Sequence, residues 1–150
     1  MPDKEFEPRI KTLVQTLNDM EIPTFESCEG HLSPERPSHP YVDITLEPPI
    51  CGISPRILFL LSRFIAEWNA YKPEEESWIL RPNCYRYSHE RGGGPYFLTL
   101  EPLEKNNQRN PRILQKHQEK ADGLASFLKK KWEEIKYLEN SLKSAKGDKK

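Results

Sequence analysis

Two segments of this chain combine residue types able to do chemistry. Ser27-Cys28-Glu29-Gly30-His31 sets a thiol three residues before an imidazole, and Asn83 to Phe97 holds Cys84, Arg86, His89, Arg91 and a run of three glycines. A cysteine beside an imidazole has a lowered pKa and becomes a nucleophile as its thiolate. Glu29 or Glu26 could orient His31, so Ser27, Cys28, Glu29 and His31 form one candidate catalytic set. The same Cys-x-x-His spacing suits zinc, with Cys84, His89 and His39 as candidates to complete a tetrahedral shell. No second closely spaced Cys/His pair completes that pattern, since Cys84 and His89 lie five apart, and no metal ligand is assigned. The structural alternative is a buried Cys28, a positive φ at Gly30 and an ordinary hydrogen bond from His31.

The second segment suggests a substrate. Successive N–H groups along Gly92-Gly93-Gly94, flanked by Arg86 and Arg91, could hold a phosphate or carboxylate. It is no Walker loop, because no Gly-Lys-Ser/Thr follows and a strand comes next. The alternative there is a plain hairpin connection. Gly30, Arg36, Arg86, His89 and Arg91 are the candidate substrate-binding residues. Tyr85, Tyr87, Tyr96 and Phe97 surround the arginines and could stack nucleobases, although such residues on a strand more often pack a core.

The elements that must position these groups are legible from periodicity. Phe6, Ile10, Leu13, Leu17 and Met20 lie on one face of a helix that Pro8 starts and Pro23 ends. Residues 40–47 alternate as a half-buried strand, and residues 77–83 and 95–102 read as two more. Ser54-Pro55 and Asn110-Pro111 are N-cap and first-turn pairs. The first opens a helix to about Tyr71 that is apolar nearly all round at its start, which predicts a central buried helix. The second opens a long helix to about Leu142 with Ala121, Ala125, Leu128, Trp132, Ile135 and Leu142 as its apolar stripe. Residues 143–150 read as a disordered basic tail.

The 150 residues suffice for one domain. Net charge is zero, yet residues 1–102 hold 10 Lys/Arg against 16 Asp/Glu, and residues 103–150 hold 13 against 7. The basic C-terminal helix suits RNA or an acidic partner, a solvated helix face, or a homodimer contact through its stripe. Three cysteines make no disulfide framework, the start lacks the apolar core of a signal peptide, and the longest apolar run, Ile57–Leu61, is far too short to span a bilayer. A cytoplasmic protein with reduced thiols and no membrane contact is the expectation.

An internal similarity organises the middle of the chain. Ser33-x-Glu35-Arg36-x-x-x-Pro40-Tyr41 aligns on Ser88-x-Glu90-Arg91-x-x-x-Pro95-Tyr96 at an offset of 55. Thr45-Leu46-Glu47-Pro48 matches Thr99-Leu100-Glu101-Pro102 with a one-residue shift, Pro55-Arg56-Ile57-Leu58 matches Pro111-Arg112-Ile113-Leu114 at 56, and Cys28 falls opposite Cys84. Two repeats, at about 22–71 and 78–133, are too few for a solenoid. They imply pseudo-symmetric strand–loop–strand–helix halves in one α/β or α+β two-layer sandwich spanning 1–142, with Cys28 and Cys84 near one another at corresponding sheet ends.

The segment Ile22-Pro23-Thr24-Phe25-Glu26-Ser27-Cys28-Glu29-Gly30-His31 resembles a Ser-Cys-Glu-Gly-His motif of small bacterial and phage proteins of unknown function. It is more distantly similar to the Ser-Cys-x-Gly turn of the wybutosine-synthesis methyltransferases, which modify a tRNA base with S-adenosylmethionine; where that family has arginine after the glycine, this chain has His31. The resemblance implies an exposed functional turn at Ser27, Cys28, Gly30 and His31. Two function classes follow: an enzyme acting on an anionic, nucleotide-like or RNA substrate, or a non-catalytic ligand-, partner- or zinc-binding module. No cofactor fingerprint is present.

Overall fold

A computed structural model describes residues 7–32, 38–46, 52–84, 96–104 and 110–147, the side chain of Cys84 excepted. The order is α1 (Pro8–Asp19), β1 (Thr24–Cys28), β2 (Tyr41–Thr45), α2 (Pro55–Ala70), a 3-10 turn (Glu74–Glu76), β3 (Trp78–Cys84), β4 (Tyr96–Pro102) and α3 (Pro111–Gly147). After α1 the chain therefore runs strand, strand, helix, twice. The four strands form one antiparallel sheet in the order β1-β2-β4-β3, which makes an α/β two-layer sandwich.

Strand alternation divides the sheet into two chemically different faces. Val42, Ile44, Trp78, Leu98 and Leu100 face the helices and join Ile10, Leu13 and Leu17 of α1, Leu61 and Phe64 of α2, and Leu124 and Leu128 of α3 in one core. Side chains from three helices and one sheet face interlock there, and each fully buried leucine contributes about 2–3 kcal/mol of transfer free energy. The other face carries Tyr41, Asp43, Thr99 and Glu101, and among these Asp43, Thr99 and Glu101 are buried. Residues 42–45 of β2 are thus buried on both faces of the sheet.

Local chemistry sets the element ends. Pro8, Pro55 and Pro111 each occupy a first helical position, where a missing N–H costs nothing. Ser54 Oγ accepts the Ile57 N–H at 3.3 Å. Helix α1 ends with Glu21 in the left-handed region at φ 63°, and the Ile22 N–H reaches back to the Leu17 carbonyl at 3.0 Å. That closure buries Ile22 and turns the chain into β1. At the other end of the core, Asn69 grips the backbone of Trp78 twice, donating from Nδ2 to its carbonyl at 2.8 Å and accepting its N–H at 3.0 Å. The junction of α2 with β3 is pinned by this pair.

Three expectations need correction. Helix α2 is not buried all round: Phe59 is 67% exposed, because the helix is an outer layer that presents only one face to the core. Helix α3 continues past Leu142 to Gly147, so residues 143–147 of the segment read as a disordered tail are helical. Leu142 lies beyond the core and is 64% exposed, whereas Ala121, Ala125, Leu128 and Trp132 of the same stripe are buried. The lysines of α3 are partly matched within the chain, Lys120 with Glu76 at 2.9 Å and Lys131 with Glu67 at 3.0 Å. No helix among the described residues is long and apolar enough to cross a membrane. Replacing Ser54 by alanine removes the α2 cap and is expected to cost about 1 kcal/mol, read as a lower urea midpoint with an unchanged slope.

Candidate functional site

The Ser27–His31 segment separates into side chains with different tasks. Ser27 pairs with Val42 and Cys28 with Tyr41, so the two side chains point to opposite faces and Ser27 does not join Cys28. Glu29 accepts the Arg9 N–H at 2.9 Å on its carboxylate, which caps the start of α1 from 20 residues away, and its carbonyl accepts Gln118 Nε2 at 3.0 Å. Gly30 stands at φ 87°, and a Cβ there would lie 2.5 Å from Leu114 Cδ1 and 3.0 Å from the Ser38 carbonyl. The motif's glycine is thus demanded by backbone and by space.

Cys28 and His31 remain, and they meet. His31 exchanges both backbone hydrogen bonds with Ser38, which holds the two residues side by side. Its Nε2 lies 3.0 Å from Glu7 Oε2, and the Cys28 thiol, a His31 nitrogen and a Glu7 oxygen all fall within 4.8 Å of one another. The sulfur accepts the Gly30 N–H at 3.4 Å and lies 3.5 Å from Ser38 Oγ. Glu7 Oε2 is shielded from water, with the His31 ring as its polar neighbour.

Cys84 is elsewhere. Cys28 ends β1 at one edge of the sheet, while Cys84 ends β3 at the other edge, paired with Tyr96. Tyr41 and Tyr96 lie at opposite ends of the β2–β4 ladder, so the cysteines occupy diagonal corners, three strand spacings of about 4.8 Å apart across the sheet alone. The expected convergence of Cys28 with Cys84 therefore fails, and with it a zinc shell that includes both. His39 is also engaged elsewhere, with Glu101. Arg36, Arg86, His89 and Arg91 lie outside the described residues.

A second polar constellation fills the face away from the helices. His39, Tyr41, Asp43, Arg81, Asn83, Thr99 and Glu101 line an open pocket of about 240 Å³. Glu101 is fully buried and takes Arg81 Nε at 2.7 Å on one oxygen and His39 Nε2 at 2.7 Å on the other. The bond to Glu101 holds the Arg81 guanidinium even more firmly protonated. Thr99 Oγ1 donates to Asp43 Oδ1 at 2.7 Å. Burial pushes the Asp43 carboxyl from 3.8 up to about 6, against the pull of the Thr99 hydrogen bond, with Glu26 and Glu101 adding to the rise. Burial likewise raises the Tyr41 hydroxyl, helped by Glu26, Cys28, Asp43 and Glu7. Tyr41 thus stands between the Cys28 corner and the pocket. Behind the pocket, burial lowers the pKa of His117, with His39 and Lys116 adding to the effect.

Sequence reasoning singled out none of Glu7, Asp43, Arg81, Thr99 and Glu101. The available signal was one carboxylate inside each of two strands, where Asp and Glu are depleted. Glu7, just ahead of Pro8, looks like any acidic residue at a helix start. The class defined by fold and site is a small α/β sandwich: helices cover one sheet face, and a buried carboxylate pocket opens on the other. No protein-family model matches the chain, and neither does any curated protein or solved structure.

The Asp43 shift has a pH signature. Its proton is held more tightly in the folded state, so the stabilisation is complete below pH ~4 and is lost as pH rises through about 6. The gap corresponds to roughly 2–3 kcal/mol. Asp43→Asn keeps an acceptor for Thr99 without the titration. Between pH 4 and 7 wild type should therefore lose roughly 2–3 kcal/mol relative to the variant, measured by urea unfolding across that range.

Proposed function

We propose that the protein is an acid–base enzyme that takes an anionic, nucleotide-like substrate on the open face of its sheet. The observation that carries this reading is the placement of two buried carboxylates, Asp43 and Glu101, around one pocket on the side away from the apolar core. Burying carboxylates costs stability and adds nothing to a core, so such groups mark functional sites. Their environments differ: Glu101 is held by Arg81 and His39, while Asp43 takes a hydrogen bond from the Thr99 hydroxyl and titrates near neutrality. Carboxylates in contrasting environments are the signature of divided acid and base roles. Asp43 exchanges the proton, Glu101 fixes His39, and Arg81 at the pocket wall meets a negative or polar substrate group.

The anionic substrate rests on sequence position. Arg36 lies three residues before the pocket residue His39, and Arg86 three residues after the pocket residue Asn83. A panel of nucleoside mono- and diphosphates, a short RNA and chromogenic phosphate esters tests the reading by amide chemical shifts and turnover. Ligands should perturb residues 41–43, 81–83 and 99–101, and Asp43→Asn should bind them with turnover reduced about 100-fold. Binding without turnover would make this a ligand-binding protein, and equal turnover by wild type and variant would remove Asp43 from the chemistry.

A separate observation favours self-association through α3. Tyr137, Leu138 and Leu142 are 73%, 56% and 64% exposed in the C-terminal third of α3. An exposed apolar strip on a helix is suited to pairing with a second copy. Light scattering should give twice the monomer mass for wild type and the monomer mass for the Leu138→Lys/Leu142→Lys variant.

A further inference from the structure

The Cys28 corner uses none of the pocket's chemistry and calls for its own account. Its three side chains come from three separate places: Glu7 from the residue before α1, Cys28 from the end of β1, and His31 from its bridge with Ser38. Each is held from outside the cluster. The Glu29 carboxylate fixes the start of α1 behind Glu7, the Tyr41 pairing fixes the Cys28 backbone, and two hydrogen bonds to Ser38 fix that of His31.

We propose that Glu7, Cys28 and His31 are the three protein ligands of a Zn²⁺ site with an open fourth position. The donor set is one thiolate, one imidazole and one carboxylate, a mixture that suits zinc among the common biological cations. In a tetrahedral shell, zinc–ligand lengths place nitrogen and oxygen about 3.3 Å apart and sulfur about 3.6 Å from either. Here the His31 nitrogen and Glu7 oxygen are 3.0 Å apart, and all three atoms lie within 4.8 Å. Side-chain shifts of about 1 Å close that shell on an ion.

Two further features point to a cation. Glu7 Oε2 is shielded from water with the His31 ring beside it at 3.0 Å, so a cation held between the two would balance the carboxylate charge there. The sulfur already receives the Gly30 N–H and has the Ser38 hydroxyl beside it, the kind of outer contact that supports a metal-bound thiolate. Glu26 and Asp43, the other acidic groups close to Tyr41, add negative potential on the same side of the sheet. Three ligands leave room for a water, which zinc would make acidic enough to serve as a nucleophile near neutral pH. The site stands independently of the Asp43 pocket.

The test uses full-length protein carrying Cys51→Ser and Cys84→Ser, so that Cys28 is the sole thiol. Reduced protein at neutral pH should bind one equivalent of Zn²⁺ in competition with a chromogenic chelator. Co²⁺ in its place should give intense visible bands of tetrahedral geometry and a thiolate-to-cobalt charge-transfer band. Glu7→Gln should weaken Zn²⁺ binding at least tenfold with the charge-transfer band retained, and Cys28→Ser should abolish that band. Absence of stoichiometric Zn²⁺ binding overturns the proposal, as does a six-coordinate cobalt spectrum without charge transfer. Affinity unchanged in Glu7→Gln overturns the assignment of the third ligand. The first two readouts need no ligand variant, so misfolding of Cys28→Ser leaves the proposal open to refutation.

Discussion

The register between β2 and β4 is the constraint on which both faces of this molecule depend. Val42 opposes Leu100 and Ile44 opposes Leu98, while Asp43 opposes Thr99. Because side chains alternate along each strand, a slip of one residue would turn Asp43 toward the helices and Val42 away from them. Helix packing therefore does more than stabilise the sheet. By claiming Val42, Ile44, Leu98 and Leu100 for the core, the three helices oblige Asp43, Thr99 and Glu101 to share the opposite face. The polar pocket follows from the apolar core by strand geometry alone.

That face is expensive to maintain. Glu101 has no exposure, and Arg81 and His39 bind both its oxygens. Removing either partner would take a charge-assisted hydrogen bond from a buried carboxylate, which costs more than an exposed ion pair returns. Asp43 takes the other route: among the described residues its side chain bonds the Thr99 hydroxyl and no cation, and its burial is relieved by holding a proton up to about pH 6. Two carboxylates on adjoining strand positions thus reach different protonation behaviour through their neighbours, not through their own chemistry.

Elements that bury a stripe were legible in the sequence, because a stripe is a periodicity. The three helices, and the strands at 41–45, 78–84 and 96–102, fall where alternation and the Ser/Asn-Pro starts put them. The exposure of Phe59 was not legible, since an apolar residue facing solvent has the same letter as one facing a core. Nor was the separation of Cys28 from Cys84. An offset of 56 residues places two cysteines at matching positions of two units, but antiparallel strands in the order β1-β2-β4-β3 send those positions to opposite corners. The pocket escaped notice for a related reason. Asp43, Arg81 and Glu101 are scattered over 58 positions of sequence, and only strand pairing makes Asp43, Thr99 and Arg81 a row across three strands.

The Cys-Glu-Gly-His turn shows how little of a motif need be chemistry. Glu29 is engaged in capping α1 and in receiving Gln118 from α3, and Gly30 in a positive-φ bend against Leu114. Neither could be replaced without moving its neighbours, yet neither presents a reactive group. Their work is to bring α1 and α3 to the end of β1, and Glu7 arrives with α1. The cluster of thiol, imidazole and carboxylate is therefore a product of packing between a helix start and a strand end. Its third member lies twenty-one residues upstream of Cys28, outside any window in which a local motif could reveal it.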